Sequence, residues 1–337
     1  MPKLYSQITG WGKYAPANIV TNYDLEETLD TSHEWIMQRT GIAERHIATE
    51  NESTATMAVA ATHDALAQAG ITAQDLDLII VATSSPDYHV PAVSSTVQAM
   101  LGADCPAFTL VTGCTGFVYG LVTAHQFIVN GAFKQVLVVG VELVSRFLDW
   151  QDRNTCVLFG DGAGAVIVAP SETPQGVLGF DLGSNGADGH HLMMEGGGSS
   201  FPMSYEVIDQ GKNFLRMNGR EVFKFATRVL PKSTLAALAN SDLAVDDLDL
   251  LIPHQANARI IDMAVRSMKF DRDKVFVNLH KYGNTSAASI PIALVEAIEE
   301  GRLAAGDIVA LVSFGAGLTW ASAIMQWGPT PNGRDER

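Results

Sequence analysis

Positive charge is scarce in this chain: 22 lysines and arginines stand against 37 aspartates and glutamates, a formal charge of −15. A generic nucleic-acid binder normally shows a basic face, so that class is set aside. Cysteine is scarcer still. The three present (Cys105, Cys114, Cys156) are an odd count for a secreted disulfide framework and lack metal-ligand spacing, which points to a reducing cytoplasm. No apolar run reaches the eighteen or so residues that a membrane span needs. The opening MPKLYSQITGWG has no cleavable signal pattern. What remains is 337 residues, 47% hydrophobic and 18% charged, the composition of a globular protein with a sizeable core.

Two segments resemble each other: ALAQAGITAQDLDLIIVAT (65–83) and ALANSDLAVDDLDLLIPHQ (237–255). Each reads as a helix end, a polar connection, the phrase Asp-Leu-Asp-Leu and a short apolar strand that suits a sheet covered on both faces. Each is followed by a strand, a Gly-containing turn, a helix and a strand, over 108–140 and 276–313. The chain is therefore expected to be two similar α/β halves, 1–172 and 173–337, with mostly parallel strands. The turn-rich stretch from Pro170 to Gly176 connects them. Aligning the halves sets Cys114 opposite Asn284, each just after a glycine at a helix start, and His254 opposite Ala82 at a strand end. Packing about a pseudo-two-fold axis would let the three side chains meet.

A lone cysteine is more often a packing residue than a nucleophile. Cys114, however, opens a helix between Gly113 and Gly116. The free N–H groups and partial positive charge there are expected to lower its pKa. His254 ends a strand at Pro253 and leads a polar loop, where ligands of α/β sheets bind. Asn284 alone reads as a cap or turn residue; its place opposite Cys114 raises it. The turn in LVSFGAGLTWASA (311–323) can aim a backbone N–H at an oxyanion. FGDGAGAVIV (159–168) lacks a dinucleotide spacing and reads as a structural hairpin beneath the site. His190 and His191 lack a third metal ligand and read as a solvated loop, and Cys105 and Cys156 as packing residues.

GCTGF, DRNTCVLFGDGAGA, PHQAN, GNTSAASIP and SFGAGLTW follow one another along the chain, after TSHEWIMQRTGIAERH (31–46). Together they resemble the β-ketoacyl-acyl-carrier-protein synthase III family of the thiolase superfamily, over all but the last ten or so residues. The resemblance implies a five-layered αβαβα thiolase fold, a homodimer, and a Cys–His–Asn set of Cys114, His254 and Asn284. It implies that an acyl group from coenzyme A is loaded on Cys114 and condensed with malonyl-acyl carrier protein, with loss of carbon dioxide and no cofactor. Trp35 and Arg153 would hold the adenine of coenzyme A, Arg39 its diphosphate, and Asn257 its pantetheine arm. The backbone N–H groups of Cys114 and Ala316 would form the oxyanion hole, although glycine is common at the second position. Lys224, Arg259 and Arg266 fall on the family's carrier-protein surface, while Arg228 stays a solvated helix residue. Val90 stands where several members have a larger aromatic that reaches across the dimer to the acyl pocket, so primers beyond acetyl are expected.

Other readings compete. A relative in secondary metabolism could condense other starters or acylate a hydroxyl or amine; intact His254 and Asn284 favour decarboxylative condensation. A papain-like hydrolase does not account for the duplicated sheet. A non-catalytic scaffold would need a damaged site, and none of the motifs is damaged.

Overall fold

The computed structural model describes residues 4–328. A five-stranded sheet runs, in spatial order, Tyr5–Tyr14, Gly162–Ser171, Val136–Glu142, Leu78–Ala82 and Ala107–Leu110. A four-stranded sheet repeats that order with Gly176–Ser184, Thr319–Gln326, Ile308–Gly315 and Leu250–Pro253. At the fifth place the second sheet has only a bridge between Leu251 and Val275, where the sequence led us to expect a strand beginning at 276. Every strand of the first sheet ends by Ser171, and every strand of the second begins at Gly176 or later.

Both sheets are mixed rather than mostly parallel. Leu78–Ala82 is parallel to both its neighbours, as Leu250–Pro253 is to Ile308–Gly315. The remaining pairings are antiparallel. The short turn at 316–318 leaves no room for a parallel crossover, so the strands it joins run antiparallel. The segment 159–168 is not a hairpin: Gly162–Ser171 is one strand inside the first sheet, and the chain then passes to the second.

Alternation along the strands builds the layers. Leu78, Ile80, Val136 and Val138 face a central core shared with Val309 and Leu311 of the other sheet. The helices Gly116–Val129 and Ser289–Glu299 fill that core through residues such as Phe117, Leu121, Ile290 and Leu294. On the outer side Ile79, Val81, Leu137 and Val139 pack on Thr54–Ala69. The outer face of the second sheet packs on Gly219–Ala239 and Ala258–Met268. The result is α, β, α, β, α. Among the described residues no helix is long and apolar enough to cross a membrane.

The repeated phrase Asp-Leu-Asp-Leu has a physical basis. Its first aspartate closes a short turn: Asp75 accepts from the N–H of Thr72, and Asp247 from that of Ala244, each at 2.8 Å. Its second ties the strand to its parallel neighbour. Asp77 accepts from the N–H groups of Lys134 (2.8 Å) and Gln135 (3.0 Å), and Asp249 from that of Ile308 (2.9 Å). Leu78 and Leu250 then open the buried strands, with Leu76 and Leu248 buried just before them.

Candidate active site

The two central helices begin alike. Gly113–Thr115 forms a single tight turn before Gly116–Val129, and Ser286–Ala288 does the same before Ser289–Glu299. Gly113 and Ser286 open those turns with φ of 58° and 50°. By geometry Cys114 therefore corresponds to Ala287, not Asn284, which precedes its helix by three residues more than the alignment allowed. His254 does correspond to Ala82, since Leu78 and Leu250 pair with Val136 and Val309 in the matching parallel neighbours, and Asp77 and Asp249 each bond the residue before that partner. The three residues still meet: Cys114, His254 and Asn284 line one cavity of about 810 Å³.

The nucleophile turn is clamped against the second half. The Ser313 hydroxyl donates to the Cys114 carbonyl (2.7 Å), and that of Thr319 to the Thr112 carbonyl (3.0 Å). Contact is close enough that a Cβ on Gly315 would stand 2.6 Å from the Cys114 nitrogen, so only glycine fits there. Cys114 is 9% exposed. Burial pushes its thiol up to about 12, opposed by the Ser286 hydroxyl and by the N–H groups of Cys114 itself and Ala316. The lowered pKa expected of a helix start is thus outweighed by desolvation, and the resting group is the thiol.

His254 is 1% exposed, and burial alone pushes it down to about 3, so its ring is neutral. Its Nδ1 lies 2.9 Å from the Ser289 hydroxyl, and its ring meets Phe314 edge-on at 5.4 Å. The Gln255 N–H donates to the same hydroxyl (2.7 Å). Asn284 is held through its backbone by Leu158 and Gly160, and its Oδ1 accepts from the Ser286 N–H (2.9 Å). With the oxygen end anchored, the amide end is free to donate.

Trp35, Arg39, Arg153 and Asn257 line the outer part of the same cavity. Both guanidiniums lie over the Trp35 ring, at 5.0 Å for Arg39 and 5.2 Å for Arg153, the latter also paired with Asp30. Asn257 caps its own helix through the Arg259 N–H (2.9 Å) and donates to the Arg39 carbonyl (3.0 Å), which leaves one amide hydrogen for a ligand. Lys224 and Arg259 line the cavity too; Arg266, two turns along the helix from Arg259, does not. Lys224 pairs with Glu221, and Arg259 lies over Phe223. Arg216 and Arg220 add cationic groups that the sequence reading missed; both are ordinary in their local context.

A second cavity, about 180 Å³, opens on Cys114 and Ala316 and is lined by apolar side chains such as Phe147, Leu192, Met193 and Leu215. Glu142, Ser84 and Ser85 also line it. Val90 does not: it is 85% exposed and lines neither cavity of its own chain. The rings of His190 and His191 touch at a tilt of 50°, no group of three metal-ligating side chains is found among the described residues, and His190 lines the larger cavity. Cys156 is buried and Cys105 packs partly buried on a core, as packing residues do.

A duplicated five-layered chain with a cysteine, a histidine and an asparagine converging on one cavity is a thiolase-fold condensing enzyme. Residues 108–186 and 238–327 match the family models for 3-oxoacyl-[acyl-carrier-protein] synthase III and for its C-terminal part. The β-ketoacyl-[acyl-carrier-protein] synthase III of Caldanaerobacter subterraneus subsp. tengcongensis is 49% identical over 96% of this chain and 98% of its own. That of Symbiobacterium thermophilum is 50% identical over 95% and 98%. The crystal structure of the Thermus thermophilus synthase superposes with a TM-score of 0.90 at 44% identity, covering 96% of this chain and all of that one. The priming β-ketosynthase of the R1128 polyketide pathway gives 0.90 at 34% identity, over 98% and 99%. The chain belongs to the β-ketoacyl-acyl-carrier-protein synthase III family.

Proposed function

We propose that the protein loads an acyl group from acyl-coenzyme A onto Cys114 and condenses it with malonyl-acyl carrier protein, giving β-ketoacyl-acyl carrier protein, coenzyme A and carbon dioxide, the initiating step of fatty-acid synthesis. The observation that carries this reading is the junction at Cys114. A large cavity with cationic side chains in its lining meets a small, mostly apolar chamber at Cys114. The cationic lining (Arg39, Arg153, Arg220) suits the phosphates of coenzyme A, and the chamber suits an alkyl chain.

Thioester exchange needs a soft nucleophile that is also a good leaving group, which cysteine is. The N–H groups of Cys114 and Ala316 converge on the sulfur and can hold the oxyanion formed as it is acylated. Loss of carbon dioxide from the malonyl group leaves an enolate, which needs uncharged or cationic donors. Asn284 offers its free amide end. With one lone pair of the Ser289 oxygen taken by the Gln255 N–H, that hydroxyl can donate to Nδ1 of His254, leaving a proton on Nε2 for the enolate. The cycle balances with thioesters alone and calls on no metal or redox group.

The unpaired edge of Ala107–Leu110, followed by Val111 (66% exposed), together with the exposed apolar side chains of Tyr88 and Val90, supports a homodimer; a monomer in sedimentation equilibrium refutes it. In that dimer Val90 would reach the partner's acyl chamber. A cytoplasmic location fits the reduced cysteines. The likeness to the R1128 priming enzyme supports a second reading, a starter condensation in secondary metabolism with the same chemistry. The test is carbon dioxide release from malonyl-acyl carrier protein. Release that depends on acyl-coenzyme A and stops in Cys114→Ala supports condensation; acyl transfer to a small hydroxyl or amine without such release refutes it.

A further inference from the structure

Glu142 ends the otherwise apolar strand Val136–Glu142 with a side chain 1% exposed, and it lines the small chamber with Cys114. Its Oε1 accepts from the Ser84 N–H (3.0 Å) and the Ser286 hydroxyl (3.1 Å). Its Oε2 accepts from the Ser85 hydroxyl (2.6 Å) and, more weakly, from that of Thr83 (3.4 Å). No cation pairs with it among the described residues. The groups that face it from the 83–85 loop and from Ser286 are hydroxyls and one N–H, and Cys114 is its titratable neighbour. Ser286 lines the chamber beside Cys114, and its hydroxyl is among the groups that pull the Cys114 thiol down against burial. Ser286 is held for this in a left-handed conformation that serine adopts at a cost, with its N–H tied to Asn284. Cys114, Ser286 and Glu142 thus share one chamber wall, with the serine hydroxyl bonded to the carboxylate.

This arrangement answers a question that the condensation reading leaves open. Acylation must remove a proton from a thiol that burial holds at about 12, and the His254 ring, pushed down to about 3, takes protons poorly. Burial pushes Glu142 up to about 7, the range in which a group both accepts and returns a proton.

Building on that reading, we infer that Glu142 stores the proton of Cys114, by way of the Ser286 hydroxyl, while the cysteine carries the acyl group, and returns it at condensation. As the S–H bond breaks, its proton passes to the Ser286 oxygen and the serine proton passes to Oε1. The sulfur bonds the thioester carbon, the bond to coenzyme A breaks, and the departing thiolate takes a proton from solvent. At condensation the malonyl-derived carbon bonds the acyl carbon and the Cys114 thiolate leaves. It takes the serine proton, and Glu142 restores that of the serine. One proton is consumed per turnover, as decarboxylation of a carboxylate requires. The acyl chain, filling the chamber that Glu142 lines, desolvates the carboxyl further and keeps the proton on it. Glu142 is a positioning residue, since it acts on the sulfur through Ser286.

The test acylates the full-length protein with acetyl-coenzyme A alone, in weak buffer with a pH indicator at pH 8, with the Cys114 adduct counted by mass spectrometry. The wild type should take up close to one proton per adduct and Glu142→Gln none. Glu142→Gln should also acylate at least tenfold more slowly at pH 7, with a rate that keeps climbing with pH where the wild type levels off, and Glu142→Asp should recover part of the loss. An adduct formed by the wild type without proton uptake overturns the inference and leaves the condensation reading standing, whether or not the variant folds. Absence of any Cys114 adduct overturns both.

Discussion

Asn284 and His254 present one free end each, because the other is committed: Oδ1 to the Ser286 N–H, and Nδ1 to Ser289. Asn284→Ala should therefore lower condensation by about 10²–10³, the usual loss for one oxyanion donor, while acylation of Cys114, which Asn284 supports only by anchoring the Ser286 N–H, falls much less. Steady-state condensation beside single-turnover acylation checks the split; equal losses in both would place Asn284 in general scaffolding. Cys114, His254 and Asn284 were legible because each stands in an ordered, family-like motif. Glu142 and Ser286 were not. Glu142 closes an apolar run as a lone charge, a signal that went unweighted, and Ser286 sits inside a motif read for its asparagine. Val90 was read as an acyl-pocket residue across a dimer; its own chain leaves it in solvent, outside both cavities.

Among elements, the duplication was legible because it is written in hydrogen bonds. Each Asp-Leu-Asp-Leu phrase closes a turn and ties a parallel strand pair, so sequence and structure repeat together. The alignment failed just ahead of the central helices. There Gly113 and Ser286 share a conformation without sharing a residue type, so matching glycine to glycine shifted Cys114 onto Asn284. Strand direction was over-read as mostly parallel because apolar runs buried on both faces look alike whichever way they run. The turn at Gly315 tests the clamp between halves. Gly315→Ala places a methyl against the Cys114 backbone and should cost about 1–3 kcal/mol of stability by overpacking. Acylation should fall roughly 10²-fold, the scale of a 1 Å misplacement at a reacting centre. Thermal melts and acylation rates check both, and an unimpaired rate would mean that the turn does not position the nucleophile.

For the whole molecule, net charge misleads about partners. A chain at −15 sets Arg39, Arg153, Arg216, Arg220, Lys224 and Arg259 around one cavity, with Arg153, Arg216 and Lys224 paired to acidic neighbours, and docking depends on such a local patch rather than on the total. Arg259→Glu should reduce kcat/KM for malonyl-acyl carrier protein by roughly tenfold, about 1.4 kcal/mol, and leave use of a small malonyl thioester within a few-fold. Matching losses would assign Arg259 to the cavity rather than to carrier docking. The central claim is that Cys114 carries the acyl group between two half-reactions. Mass spectrometry of the protein after incubation with a panel of acyl-coenzyme A esters, then after a chase with malonyl-acyl carrier protein, tests it most directly. The account predicts an acyl adduct confined to Cys114 that the chase removes as β-ketoacyl carrier protein appears. An adduct that forms but never extends, or no adduct at Cys114 with any ester, contradicts it.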